Sequence, residues 1–178
     1  KLGAIPQSQP AAQIYEALEK GTIDAAEFVG PYDDQKLGFV KVAPYYYYPG
    51  WWEGSAALHS MFNKAKFEAL PPAYQAVLKA ACQAVNTDML AHYDMVNATA
   101  IKAVVAEGAK LQPFSPEILA ACWKATEDTY AEMSAKSPTF GKMLESLKAF
   151  RRDYYLWTQV SEYPFDAFMM GQQRAGAL

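Results

Sequence analysis

Apolar residues recur at helical spacing first in "PAAQIYEALEKG", where Ile14, Ala17 and Leu18 share one face. Pro10 precedes them and Gly21 follows, so the pattern predicts a helix between the two. "TIDAAEFVG" then predicts a short strand, weakened by its Ala pair. "PYDDQKLG" predicts a helical turn or short helix, with Asp33 and Asp34 at the end where the dipole favours acids. The most β-prone stretch follows, "FVKVAPYYYYPGWWEGSAALHSMFN". It is aromatic, β-branched and broken by Pro44 and Pro49, and predicts extended segments over 39–48 and 54–63 joined by a turn at "PGWWEG".

From Pro71 the pattern turns helical and, after Pro72, meets no further proline until Pro113. A continuous helix there would hold about 37 residues and run roughly 55 Å, so a kink near Asn86 or Asn97, or a span across two lobes, is expected. "LQPF" predicts a brief extended piece. Ser115, Pro116 and Glu117 then form an N-terminal helix signal. A last helix, amphipathic and aromatic, is predicted over 138–170. The chain therefore divides into an α/β part, 1–63, and a mainly helical part, 64–178.

Composition narrows the classes. The chain has 178 residues, 52% of them hydrophobic, and a net charge of -3. This suits one compact domain or two small lobes. No basic tract is present, which argues against a nucleic-acid partner. No apolar run approaches the roughly 20 residues of a membrane span. The opening "KLGAIPQSQP" has neither an initiator Met nor a signal peptide, and reads as a cut from a longer polypeptide. Cys82 and Cys122 have no metal spacing and are expected as free thiols.

The chain carries no GxSxG, Walker, GxGxxG or HExxH motif, and His59 and His92 lack partner patterns. Two carboxylates draw attention: Glu27, after "IDAA", and Glu53, after "PGWW". Strand ends at a lobe crossing are where open α/β proteins place ligands. On composition alone, a solvated or salt-bridged role for each acid is the stronger reading, and the tyrosine and tryptophan runs read as core.

"YEALEKGTIDAAEFVGPYDDQKLG" followed by "YYYYPGWWEG" resembles the periplasmic solute-binding receptors of TRAP transporters, in the branch that binds 2-oxo acids and related monocarboxylates. The resemblance continues through "ALPPAYQAVLKAA", "LQPFSPEILAACWKAT" and "DYYLWTQVSEYPFDAF". It implies a two-lobed fold of the periplasmic-binding-protein type, of which this chain is the C-terminal half, with long helices spanning the lobes and a helical tail. It also implies that Glu27, the Phe28 carbonyl and Glu53 hold a sodium or calcium ion that touches a small organic acid such as pyruvate. Trp52 and Tyr48 would wall the cleft. Relatives often carry Trp where Phe28 stands, which changes the wall but not a carbonyl ligand.

Elementary electrostatics agrees with that carry-over. Two carboxylates facing an anion repel it, and a hard cation with oxygen ligands bridges them. An arginine clamp on the substrate carboxylate is the expected complement. In the family it lies upstream of the "GTIDAAE" stretch, in a half that this chain does not include. The implied partners are that missing N-terminal half, the TRAP permease subunits and, through the C-terminal helices, a second copy. A helical interaction module is the alternative. A metal-assisted lyase or isomerase ranks last, because no His or Lys stands in the two acidic motifs to move protons.

Overall fold

The computed structural model describes residues 1–54 and 56–178, and the chain falls into two compact units, Gly3–Leu119 and Ala120–Leu178 with Lys1–Leu2. The expected change of texture at 63–64 lies within the first of these. In that unit the order is α1 (Ala11–Glu19), α2 (Pro31–Leu37), a 3-10 turn (Phe39–Lys41), β1 (Tyr45–Tyr48), α3 (Lys64–Glu68), α4 (Pro72–Ala106) and β2 (Lys110–Pro113). The helices α5 (Pro116–Lys136), α6 (Pro138–Thr158) and α7 (Glu162–Arg174) complete the chain.

Helix α1 forms where the apolar spacing places it, and it buries Ile14 and Ala17. Its end is closed by Thr22, whose backbone N–H (2.9 Å) and hydroxyl (3.0 Å) both donate to the Ala17 carbonyl. That closure redirects the chain. The expected strand over "TIDAAEFVG" is therefore absent, and 25–28 is irregular chain outside any sheet. Helix α2 starts on Pro31 and stops at Gly38, whose φ of 72° lies in the left-handed region that glycine adopts without strain.

The expected extended segment 39–48 is half right. Phe39–Lys41 turns as 3-10, and only Tyr45–Tyr48 pairs as a strand. Strand β1 runs parallel to β2 in the register Tyr45–Lys110, Tyr46–Leu111, Tyr47–Gln112, Tyr48–Pro113. The second extended segment, 54–63, is not a strand over 56–63, and Ser55 lies outside the described residues. Behind the sheet sits a small core of Val40, Val104 and Ala109, with Tyr46 and Ile101 packed against it. Gly108, at φ 110°, makes the turn that brings α4 into β2.

Helix α4 runs unbroken over 35 residues. The side chain of Asn97, one of the two expected kink positions, serves another helix. Asn97 Oδ1 accepts the Tyr32 backbone N–H at 3.0 Å, across 65 positions of sequence. Around that bond α2 rests on α4, with Tyr32 edge-on to His92 and Tyr93, both at 6.1 Å between ring centroids. His92, though exposed, thus meets rings on both helices.

In the second unit α5 and α6 share an ion pair, Lys148 to Glu127 at 2.5 Å, and Lys1 pairs with Glu132 at 2.6 Å. The single helix expected over 138–170 is two. The break falls at Ser161, whose φ of −111° and ψ of −98° leave the helical region while its hydroxyl donates to the Trp157 carbonyl at 2.9 Å. Such a local side-chain bond competes with the helical ladder. Cys82 and Cys122 are free thiols. No helix among the described residues is long and apolar enough to cross a membrane.

Candidate functional site

Glu27 and Phe28 lie on the irregular segment between α1 and α2, Glu27 exposed and Phe28 half-buried. Glu27 therefore stands in a loop, not at the strand end that the sequence pattern placed there. The segment is nonetheless fixed. The Phe28 ring meets Phe39 edge-on with centroids 5.6 Å apart, and the Asn97 bond to Tyr32 caps the start of the helix that follows.

The next anchor is Asp34, the buried charged residue among those described. Tyr46 in β1 donates its hydroxyl to Asp34 Oδ2 at 2.5 Å. Burial pushes the Asp34 carboxyl above the ordinary carboxylate range, against the lowering effect of the Tyr46 bond, and the charges of Asp33 and Glu27 add to the rise. Glu27 is thus within electrostatic reach of Asp34. The Tyr46 phenol is pushed far above its usual value by its own burial and by the bond to Asp34. One oxygen of Asp33 (Oδ2) and one of Asp34 (Oδ1) are buried without a hydrogen-bond partner among the described residues.

Tyr48 ends β1, 47% exposed, and its carbonyl accepts the Phe114 N–H at 2.7 Å. The chain then passes through a cis Tyr48–Pro49 bond into "GWWE". Trp51 and Trp52 meet edge-on at 5.2 Å, both well exposed, and the Glu53 carbonyl folds back to Gly50. Glu53 is exposed. The tryptophans are therefore surface groups, contrary to the core role that composition alone favours for such runs.

Among the described residues neither Glu27 nor Glu53 takes part in an ion pair. No three acidic, histidine or cysteine side chains among those described group as a metal site. A cation at Glu27 or at Glu53 would take that carboxylate, with its remaining oxygens from other acids, carbonyls, ligand or water. Hard oxygen donors of this kind suit sodium or calcium. An open depression of about 530 Å³ lies elsewhere, over Tyr15, Lys36, Lys41 and Glu107, and none of the five expected site residues lines it.

Asp34, Tyr46 and Asn97 escaped the sequence reading as parts of this neighbourhood. Asp34 was legible only as an acid at a helix start; its burial depends on a partner twelve positions away.

Comparison with known proteins gives a consistent picture. A family model described as bacterial extracellular solute-binding protein, family 7, matches residues 1–137. A monocarboxylate 2-oxoacid-binding periplasmic protein of Nostoc sp. is 42% identical over 173 residues, covering 97% of this chain and 48% of that protein. The chain thus spans about half the length of this curated relative. A TRAP transporter solute-binding protein from Bordetella bronchiseptica, a mixed-occupancy dimer with copurified calcium and picolinate in one active site and an apo site, superposes with a TM-score of 0.95. It is 48% identical and covers 98% of this chain and 52% of its own. A TRAP periplasmic solute-binding protein from Colwellia psychrerythraea, with calcium and pyruvate, gives 0.87 at 32% identity over 92% of this chain and 50% of its own.

Proposed function

Since this chain belongs to the bacterial extracellular solute-binding proteins of family 7, we propose that it is part of a periplasmic receptor that captures a small monocarboxylate through a bridging cation. The ligand class is a 2-oxo acid such as pyruvate, and the cation is calcium or sodium. Glu27, the Phe28 carbonyl and Glu53 hold the ion. Tyr48 and Trp52 form the wall against which the acid packs. The observation that carries this reading is the pair of structural neighbours, one solved with calcium and picolinate and the other with calcium and pyruvate.

In this reading the residues on this chain hold the ion and orient its acid, and no bond is made or broken. The cation supplies a positive charge that lets two carboxylates face an anion. A divalent ion leaves the sum of two glutamates and one monocarboxylate at one negative charge, so a further cationic group belongs to the part of the receptor outside this chain. The receptor releases its acid unchanged to TRAP permease subunits.

Calorimetry on the full-length parent protein tests this. Pyruvate is expected to bind with calcium or sodium present, to bind far more weakly without them, and to be recovered unaltered. Turnover would favour an enzyme; silence under every condition would favour an interaction module. A second reading, pairing of copies through α6 and α7, is compatible with the first. It is favoured by exposed Phe150, Trp157, Phe165 and Phe168 on those helices, and by the dimeric state of the Bordetella neighbour. Sedimentation of the parent protein checks it.

A further inference from the structure

Strand β1 is four identical residues, Tyr45 to Tyr48. Successive side chains in a strand point to opposite faces, and a slip of one residue exchanges the faces. In most half-buried strands the alternation of apolar and polar residues forbids that slip. Here residue type carries no such information, because every position offers the same ring and hydroxyl. Something outside the strand must select which tyrosines face inward.

The structure contains a selector. Tyr46 alone of the four is turned in, packed against Val40, Val104 and Ala109, while Tyr45, Tyr47 and Tyr48 are 58%, 53% and 47% exposed. The inward hydroxyl ends on Asp34 Oδ2 at 2.5 Å, and Asp34 is itself buried on α2, the helix that continues from Glu27 and Phe28. Any other tyrosine of the run at this position would move Tyr48, Trp52 and Glu53 along the sheet edge relative to the Glu27 segment.

We propose that the Asp34–Tyr46 hydrogen bond sets the register of the tyrosine strand and so ties β1, which leads into the Glu53 segment, to α2, which follows the Glu27 segment, making Asp34 and Tyr46 positioning residues of the ligand site. The inference rests on the function proposed above. Neither residue touches the ligand or the ion; both act through the two acid-bearing segments. The bond joins α2, which follows the Glu27 segment, to β1, which precedes the Glu53 segment.

The test uses the full-length parent receptor, with pyruvate affinity measured in calcium at a temperature well below unfolding. Tyr46→Phe and Asp34→Ala are each expected to weaken binding by about tenfold or more, and the double variant by no more than either alone, as for two ends of one bond. Asp34→Asn keeps an acceptor for the tyrosine and is expected to stay within about threefold of the parent. Tyr47→Phe, the same change one position on, is expected to leave affinity unaltered. A lowered melting temperature with unchanged affinity, or additive losses in the double variant, would overturn the proposal by leaving a merely structural role. Should Tyr46→Phe not fold, Asp34→Ala beside Asp34→Asn decides: a tenfold loss in the alanine variant that the asparagine restores supports the bond, and near-parent affinity in both overturns it. Glu27→Gln in the same series separates the two claims. If it abolishes binding while the Asp34 and Tyr46 variants do nothing, only the register proposal fails. If it changes nothing, the site itself is misassigned and the register proposal falls with it.

Discussion

Glu27 and Glu53 look alike in the sequence, each an acid that closes a short aromatic or apolar motif, yet their supports differ. The Glu27 segment is bracketed by the Thr22 closure of α1, the Phe28–Phe39 contact and the Asn97 cap on α2. The Glu53 segment leaves β1 through exposed Tyr48, Trp51 and Trp52 and meets no comparable bracket among the described residues. Two carboxylates of equal chemistry are thus unequal in preorganisation. A ligand held already in place costs less conformational entropy to use. In the proposed site Glu27 is the better held of the two, and Glu53 is held only through the strand that precedes it.

The largest consequence concerns the two acids themselves. Glu27→Gln is expected to weaken cation-dependent pyruvate binding by more than about 2 kcal/mol, because a charged ligand is lost from a fixed position. Glu53→Gln is expected to cost about 1 kcal/mol, since part of its contribution is offset by ordering its segment. Calorimetry on the parent receptor gives both values, and equal losses would remove the distinction.

Backbone changes probe the same contrast at smaller scale. Gly38 holds a φ of 72° with the Tyr15 ring 3.7 Å from where a Cβ would stand. Gly38→Ala should destabilise by about 1 kcal/mol through the left-handed backbone alone. Gly54, beside Glu53, has open space around it. Gly54→Ala should stay within about 0.5 kcal/mol. Denaturant midpoints compare the two.

The smallest effect is a pH dependence. Burial raises the Asp34 carboxyl above its unfolded value, so the folded state holds its proton more tightly. That contribution to stability is complete below the usual carboxylate range and is lost as pH rises through the folded value. Asp34→Asn cannot ionise, so its stability relative to the parent should improve as pH rises from about 4 towards neutrality. Unfolding midpoints across that range check the sign.

Much of the helical framework was legible. Pro10 and Gly21 bracket α1, Pro31 opens α2, and the Ser115 hydroxyl accepts the Ile118 N–H at the head of α5 as the cap pattern requires. Local rules suffice where local bonds decide. They failed where a distant partner or a competing side chain won: Thr22 turned the expected strand into a loop, Ser161 split the last helix, and Asn97 caps α2 across 65 positions of sequence. The two acids could be named from their motifs. The buried Asp34 and its tyrosine partner could not, because nothing in "YYYY" says which ring faces inward.

The account stands on a cation shared by two glutamates. Diffraction from crystals of the parent receptor grown with calcium and pyruvate, recorded to locate calcium by its anomalous signal, tests that most directly. The expected result is one calcium with oxygens of both Glu27 and Glu53 at about 2.3–2.6 Å and the pyruvate carboxylate in the same shell. A calcium held elsewhere, or pyruvate seated with neither glutamate near it, would contradict the account.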